Sequence, residues 1–192
     1  MSDVIELPRA TDGGLFSRNL ESALDRSWFI FHAYPERPGI LDAILDGESI
    51  QSQFFGDYSS LDRLMKLANS LLHEYPDRAS TYVFAAQVDS GRHLFEDAQK
   101  KLDKAKELGA DDRAISRIAL SIDQALGKSL DRVLEQRLQR VQLSNAIEDW
   151  VPLGALLADL GRYDEAHDAY IKGLRAYADL SPLGLAWACF QL

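Results

Sequence analysis

The sequence predicts an all-α protein, a solenoid of about four antiparallel helix pairs followed by a terminal helix, and three observations carry that reading. Gly56, Gly91, Gly127 and Gly161 are separated by 35, 36 and 34 residues, and each ends one apolar, helix-like stretch and precedes another. A period of that length holds two helices and their turns. Long stretches rich in Ala, Leu, Asp, Glu, Arg and Lys favour helix, and strand signals are scarce. Three stretches also superimpose on their apolar positions. Thr81, Phe84, Ala85 and Val88 align with Ile115, Ile118, Ala119 and Ile122, and again with Trp150, Leu153, Gly154 and Leu157. The small residue at 85, 119 and 154 lets a neighbouring helix come close.

Taken in order, residues 1–16 read as a flexible tail, because Gly13-Gly14 breaks a helix. Residues 17–192 read as one repeat domain. Its first helix starts near Ser17 and buries a stripe that includes Leu20, Leu24 and the Trp28–Phe31 cluster, until Pro35-Glu36-Arg37-Pro38-Gly39 stops it. A second helix covers 40–55 and is weakened at Asp46-Gly47. A third covers 59–75, with Leu61, Leu64, Leu67, Ala68 and Leu71 on one face and Pro76 as its stop. Asp77 suits the N-cap of a helix ending at Ser90. Helices at 94–108, 112–126, 129–143, 149–160, 162–178 and 182–192 follow, and their short connections make neighbours antiparallel. The repeats fall at 43–75, 78–110, 112–143 and 147–180, with an incomplete one at 182–192.

The last full repeat reads Trp150-x2-Leu153-Gly154-x2-Leu157, then Gly161-x-Tyr163-x2-Ala166-x3-Tyr170. It resembles the tetratricopeptide repeat (TPR) family, whose pattern is a Trp, a Leu-Gly pair, an aromatic, an Ala and another aromatic at this spacing. Leu157 stands where an aromatic is usual, Gly173 where Ala is usual, and the closing proline comes late, at Pro182. The repeat at 78–110 is looser, with Gly91, Phe95, Ala98, Leu102 and Ala105. The one at 112–143 keeps the apolar skeleton, and the one at 43–75 is weaker still. The resemblance implies a right-handed superhelix in which Trp150, Leu153, Leu157, Tyr163, Ala166 and Tyr170 pack between adjacent helices. It also implies a concave groove, lined by the first helix of each repeat, that holds a peptide or a helix. Carried over by position, the groove residues are Tyr82, Ala86 and Asp89, then Arg113, Ser116, Leu120 and Asp123, then Val151, Ala155 and Asp159. Asp89, Asp123 and Asp159 would form an acidic ladder that favours a basic ligand. The Lys, Asn and Arg set with which some family members clamp a C-terminal carboxylate is missing at these places.

Composition narrows the function classes. The chain is 46% apolar and 27% charged, with a net charge of -9 concentrated in residues 1–80 and 147–192. Such a chain repels a phosphate backbone, so no nucleic-acid partner is expected. Cys189 is the only cysteine, which leaves no intrachain disulfide and no cysteine-based metal site. The opening MSDVIELPRATDGG has no secretory pattern, and no stretch approaches the ~20 apolar residues of a membrane span. A cytoplasmic location follows. The four histidines form no i, i+4 pair, and no HExxH, phosphate loop or GxSxG elbow occurs. The acids around His167 spread round a helix. Lys100, Lys101, Lys104 and Lys106 have acidic neighbours at helical spacing and read as a salt-bridged surface. No cofactor, metal or catalytic residue is therefore expected.

The function expected is non-catalytic protein–protein interaction, as a scaffold, adaptor or chaperone-like module. The alternatives are a regulatory or assembly module whose catalytic part lies beyond Leu192, and an enzyme with a carboxylate-lined cavity. Trp187-x2-Phe190 repeats Trp150-x2-Leu153 without a second helix after it. Trp187, Phe190 and Leu192 cannot all face one side of a helix, so a homodimer through the C-terminal helix is expected.

Overall fold

The computed structural model describes residues 9–192, apart from the side chains of residues 113 and 114. The described residues form α-helices and no strand. The helices are α1 Gly13–Ala33, α2 Ile40–Phe54, α3 Ser59–Glu74, α4 Ala79–Gly91, α5 Phe95–Glu107, α6 Asp112–Ala125, α7 Leu130–Ser144, α8 Ile147–Asp159, α9 Tyr163–Ala176 and α10 Pro182–Gln191. The fold class is all-α, as the periodicity predicts.

The chain divides into two compact units. Residues 19–128 form one. Within it α2 touches α4 and α4 touches α6, while α3 packs on α2 and α4, and α5 packs on α4 and α6. The even-numbered helices thus make one row and the odd-numbered ones cover it. Ile44, Leu64, Phe84 and Val88 centre one core cluster, with Trp28 and Phe31 of α1 packed against it. Ala98, Leu102, Ile115 and Ile122 centre a second. Residues 129–192, with the described part of 1–18, form the other unit. There α8 touches α10, α9 packs on both, and α7 packs on α8. Leu153, Leu157, Ala166, Tyr170 and Leu174 fill its core.

Three local findings correct or complete the sequence reading. Gly13-Gly14 does not break α1 but opens it, because the Asp12 Oδ1 carboxylate accepts the Leu15 N–H at 3.0 Å and supplies a cap. The Thr11 N–H donates to the Leu180 carbonyl at 2.7 Å, so this stretch is anchored before the helix starts. Residues 1–8 of the expected tail lie outside the described residues. Helix α2 runs through Asp46-Gly47, where the weak helix former has a packing reason: Gly47 is buried, and a Cβ there would lie 2.9 Å from Leu24 Cδ1 of α1. Helix α4 starts at Ala79 with Arg78 as its N-cap residue, so Asp77 is not the cap.

The repeat itself is more regular than the glycines suggest. Leu94 N–H donates to the Asp89 carbonyl, Lys128 N–H to that of Asp123 and Arg162 N–H to that of Leu157, at 2.9, 2.8 and 2.8 Å. These bonds close α4, α6 and α8 across one left-handed residue each: His93 (φ 60°), Gly127 (φ 65°) and Gly161 (φ 74°). The three stand 34 residues apart. Gly91 is the last residue of α4 rather than the turn residue, and His93 takes the turn conformation.

Helices α8 and α9 meet closely at Gly154, where a Cβ would lie 2.5 Å from Tyr170 Cε1. Trp150 is half-buried beside this contact. Its indole N–H donates to Asn145 Oδ1 at 2.8 Å, and Lys172 Nζ lies 5.3 Å from the ring centroid. Tyr163, expected in the core, is 71% exposed. It is the first residue of α9 and follows the turn directly, with Arg162 as the N-cap residue.

Candidate functional site

A groove runs between α2 and α4, on the row of even-numbered helices. One stretch of it holds a cavity of about 560 Å³ and is lined by Leu41 and Asp42 of α2 and by Ala79, Ser80, Val83, Phe84 and Gln87 of α4. Pro35, Pro38 and Gly39 wall its end. The next stretch, about 370 Å³, is lined by Leu45, Asp46, Ser49 and Gln53 of α2 and by Gln87 and Ser90 of α4. Gln87 belongs to both. The helical repeat explains the lining: residues 42, 46, 49 and 53 make one stripe on α2, and 80, 83, 87 and 90 make one stripe on α4.

The groove is lined by apolar residues and by polar side chains that are not all satisfied internally. The side chains of Asp42, Asp46, Gln53, Ser80 and Gln87 make no hydrogen bond or ion pair with the described residues. Helix α2 holds acids and no basic residue. Desolvation of its carboxyl, together with the nearby Asp42 carboxylate, pushes Asp46 above the usual carboxylate range. At the proline end Arg78 pairs with Glu36 at 3.0 Å and lies 4.2 Å from the Tyr75 ring centroid, which neutralises that pair.

The residues expected on the groove stand elsewhere. Val151 is fully buried in the core around α8 and α9, and Leu120 is nearly fully buried. Ala86 is fully buried, Tyr82 is half-buried, and Asp89 is buried at the end of α4, where Lys101 of α5 and Arg92 neutralise it. The stripe 82, 86, 89 differs from the groove stripe 83, 87, 90 by one residue. One residue is ~100° of helix rotation, enough to turn a groove into a seam. Asp123 is half-buried and already engaged within the protein, and Asp159 is engaged too, although exposed. The side chain of Arg113 lies outside the described residues. No acidic ladder repeats along the chain: counted back four residues from the left-handed turns, Asp89 and Asp123 match Leu157, not Asp159.

The lysine surface is ion-paired as expected, with Lys100 on Asp97 and Lys104 on Glu107, both at 2.9 Å. On α10, Leu185 and Ala188 are buried, whereas Phe190 is 85% exposed and Trp187 and Leu192 are also exposed. Among the described residues there is no group of three or more His, Cys, Asp or Glu that could hold a metal, and no helix is long and apolar enough to cross a membrane.

A second cavity, about 640 Å³, lies among α1, α2 and α3 and includes Trp28, Phe31, His32, Glu48, Arg63 and Lys66. Its floor is a closed network. The fully buried Glu48 accepts Trp28 Nε1–H at 2.7 Å, and Arg63 Nε–H and Nη2–H at 2.8 and 2.7 Å. Arg63 also reaches Asp57 at 2.9 Å. These groups satisfy one another, so the network braces three helices rather than awaiting a ligand.

No protein family, curated protein or solved structure compared with the chain matches it.

The groove residues were visible in the sequence only in part. An acidic helix without a basic residue, ILDAILDGESIQSQF, is a sequence-level signal for a carboxylate surface that nothing neutralises locally. Which of its acids face solvent follows only once Glu48 is seen to turn toward Arg63.

Proposed function

We propose that the chain is a non-catalytic protein-interaction module, a scaffold, adaptor or chaperone-like protein of the cytoplasm, assembled from tetratricopeptide-like hairpins and holding a peptide in the α2–α4 groove. One observation carries the reading: a groove whose stretches share Gln87 and in which the side chains of Asp42, Asp46, Gln53, Ser80 and Gln87 make no hydrogen bond or ion pair with the described residues. A peptide brings backbone donors and acceptors to such groups, and apolar side chains to Leu41 and Val83. The hairpin reading is supported by the 34-residue spacing of the left-handed turns and by the tight Gly154–Tyr170 seam. The lone, exposed thiol of Cys189 suits a reducing compartment. The enzyme alternative needs acids converging in an enclosed cavity, whereas Asp42 and Asp46 are exposed on one helix face.

The reading is tested by panning a random-peptide library on the protein and on its Val83→Arg and Gln87→Arg variants, each first shown to melt cooperatively. Enriched peptides are expected to bind the parent protein and to lose at least about tenfold in affinity on either variant, because the new side chain fills the groove. Peptides that bind all three proteins equally would place recognition elsewhere.

A further inference from the structure

The groove carries more information than its existence. Resting on the peptide-binding reading above, we infer that its ligand is an extended segment with basic side chains at alternate positions, Lys/Arg-x-Lys/Arg, read by Asp42 and Asp46.

The spacing supplies the register. Asp42 and Asp46 are four residues apart on α2, so they sit one above the other, ~6 Å apart along the axis. In an extended chain, side chains at i and i+2 share a face and stand ~6.6 Å apart, whereas i and i+1 point to opposite faces. Alternate basic residues therefore reach both carboxylates together, and adjacent ones reach one.

The lining selects an extended ligand over a helical one. A helix satisfies its own backbone and presents only side chains. The carboxamides of Gln53 and Gln87 and the hydroxyl of Ser80 are unpaired along the groove and suit a backbone that still has donors and acceptors to offer. From Ser80 to Ser90 the α4 wall is ~15 Å long, the reach of four to five extended residues.

The charges facing the groove favour a basic ligand. Glu36, Arg37, Asp42, Arg78 and Asp111 face one stretch, and Asp46 and His93 face the other. Glu36 and Arg78 pair with each other, Asp111 is engaged within the protein, and α4 contributes no charge to the groove. Asp42 and Asp46 then outnumber the cation at the proline end, Arg37. Their mutual repulsion is relieved when two cations bind, so they discriminate by charge and by spacing.

The test uses two fluorescein-labelled peptides of equal composition, Gly-Ala-Lys-Ala-Lys-Ala-Gly and Gly-Ala-Lys-Lys-Ala-Ala-Gly, titrated by anisotropy at low salt. The alternating peptide is expected to bind about tenfold tighter, and the preference should vanish in Asp42→Asn/Asp46→Asn. Binding of the alternating peptide should also weaken as salt rises. Equal affinity of the two peptides, with both still lost on Gln87→Arg, would overturn the spacing rule and leave the groove reading standing. A preference that survives the double Asn variant would overturn the role of the two carboxylates. Failure of both peptides to bind would overturn the basic-ligand inference, and panning would then report on the groove by itself.

Discussion

A missing methyl group sets how closely α8 and α9 approach. An Ala side chain at 154 would place its Cβ 2.5 Å from the buried Tyr170 ring, although Ala is the better helix former by ~1 kcal/mol. Overpacking typically costs ~1–3 kcal/mol, so sterics should win and Gly154→Ala should destabilise by about 1–2 kcal/mol in urea unfolding. With Tyr170→Leu already present, the same change should be neutral or stabilising. An equal loss in both backgrounds would show that Tyr170 is not the obstacle. Charge acts on the same scale at Asp46. Its carboxyl titrates above the ordinary value of 3.8, through desolvation and then Asp42, so the folded protein holds a proton there more tightly than the unfolded chain. The unfavourable contribution therefore grows as pH rises through the raised value and disappears below 3.8. Asp46→Asn should raise the melting temperature at pH 7 and give no gain at pH 3.5. A gain of equal size at both would rule out titration as its source. Asp57 has the opposite sign: hydrogen bonds from Ser59 and then Arg63 lower it to about 2, so its contribution is lost as pH falls from 3.8 toward 2.

At the scale of helices, one buried acid joins three of them. Glu48 of α2 accepts bonds from Trp28 of α1 and Arg63 of α3 and has no exposed surface. Glu48→Ala leaves the Trp28 indole N–H without its acceptor and removes the Arg63–Glu48 bonds, while Arg63 keeps Asp57, so it should cost about 1–3 kcal/mol. Chemical denaturation measures this directly, and a cost below ~1 kcal/mol would mean that the network adds nothing to folding. The helices themselves were largely legible from the apolar stripes of α3 and α6 and from the breaker at Pro35 to Gly39. Their rotation was not. Residues 82, 86 and 89 and residues 83, 87 and 90 are equally plausible stripes, and only the packing of α5 on α4 turns the first set into the seam. The partners of Glu48 lie 20 residues before it and 15 after it, beyond the reach of any local pattern. Gly13-Gly14 misled for a similar reason, since the Asp12 cap outweighs the glycines' poor propensity.

At the scale of the whole chain, each unit repeats one arrangement: even-numbered helices in contact with each other, odd-numbered helices covering them. The period that announces this arrangement was in the sequence, blurred because His93 rather than Gly91 forms a turn. An acidic row on the groove was also expected, but Asp89 is buried and paired with Lys101, and the exposed acids of the proposed groove, Asp42 and Asp46, stand on α2. The central claim is that the α2–α4 groove holds a peptide. The most direct measurement is an NMR titration of the labelled protein with the tightest peptide recovered by panning. The account predicts that amide and side-chain shifts move along residues 41–53 and 79–90, Gln87 included, and stay still in residues 129–192. Shifts confined to α10 or to the Trp28–Arg63 cavity, with the groove unmoved, would contradict it.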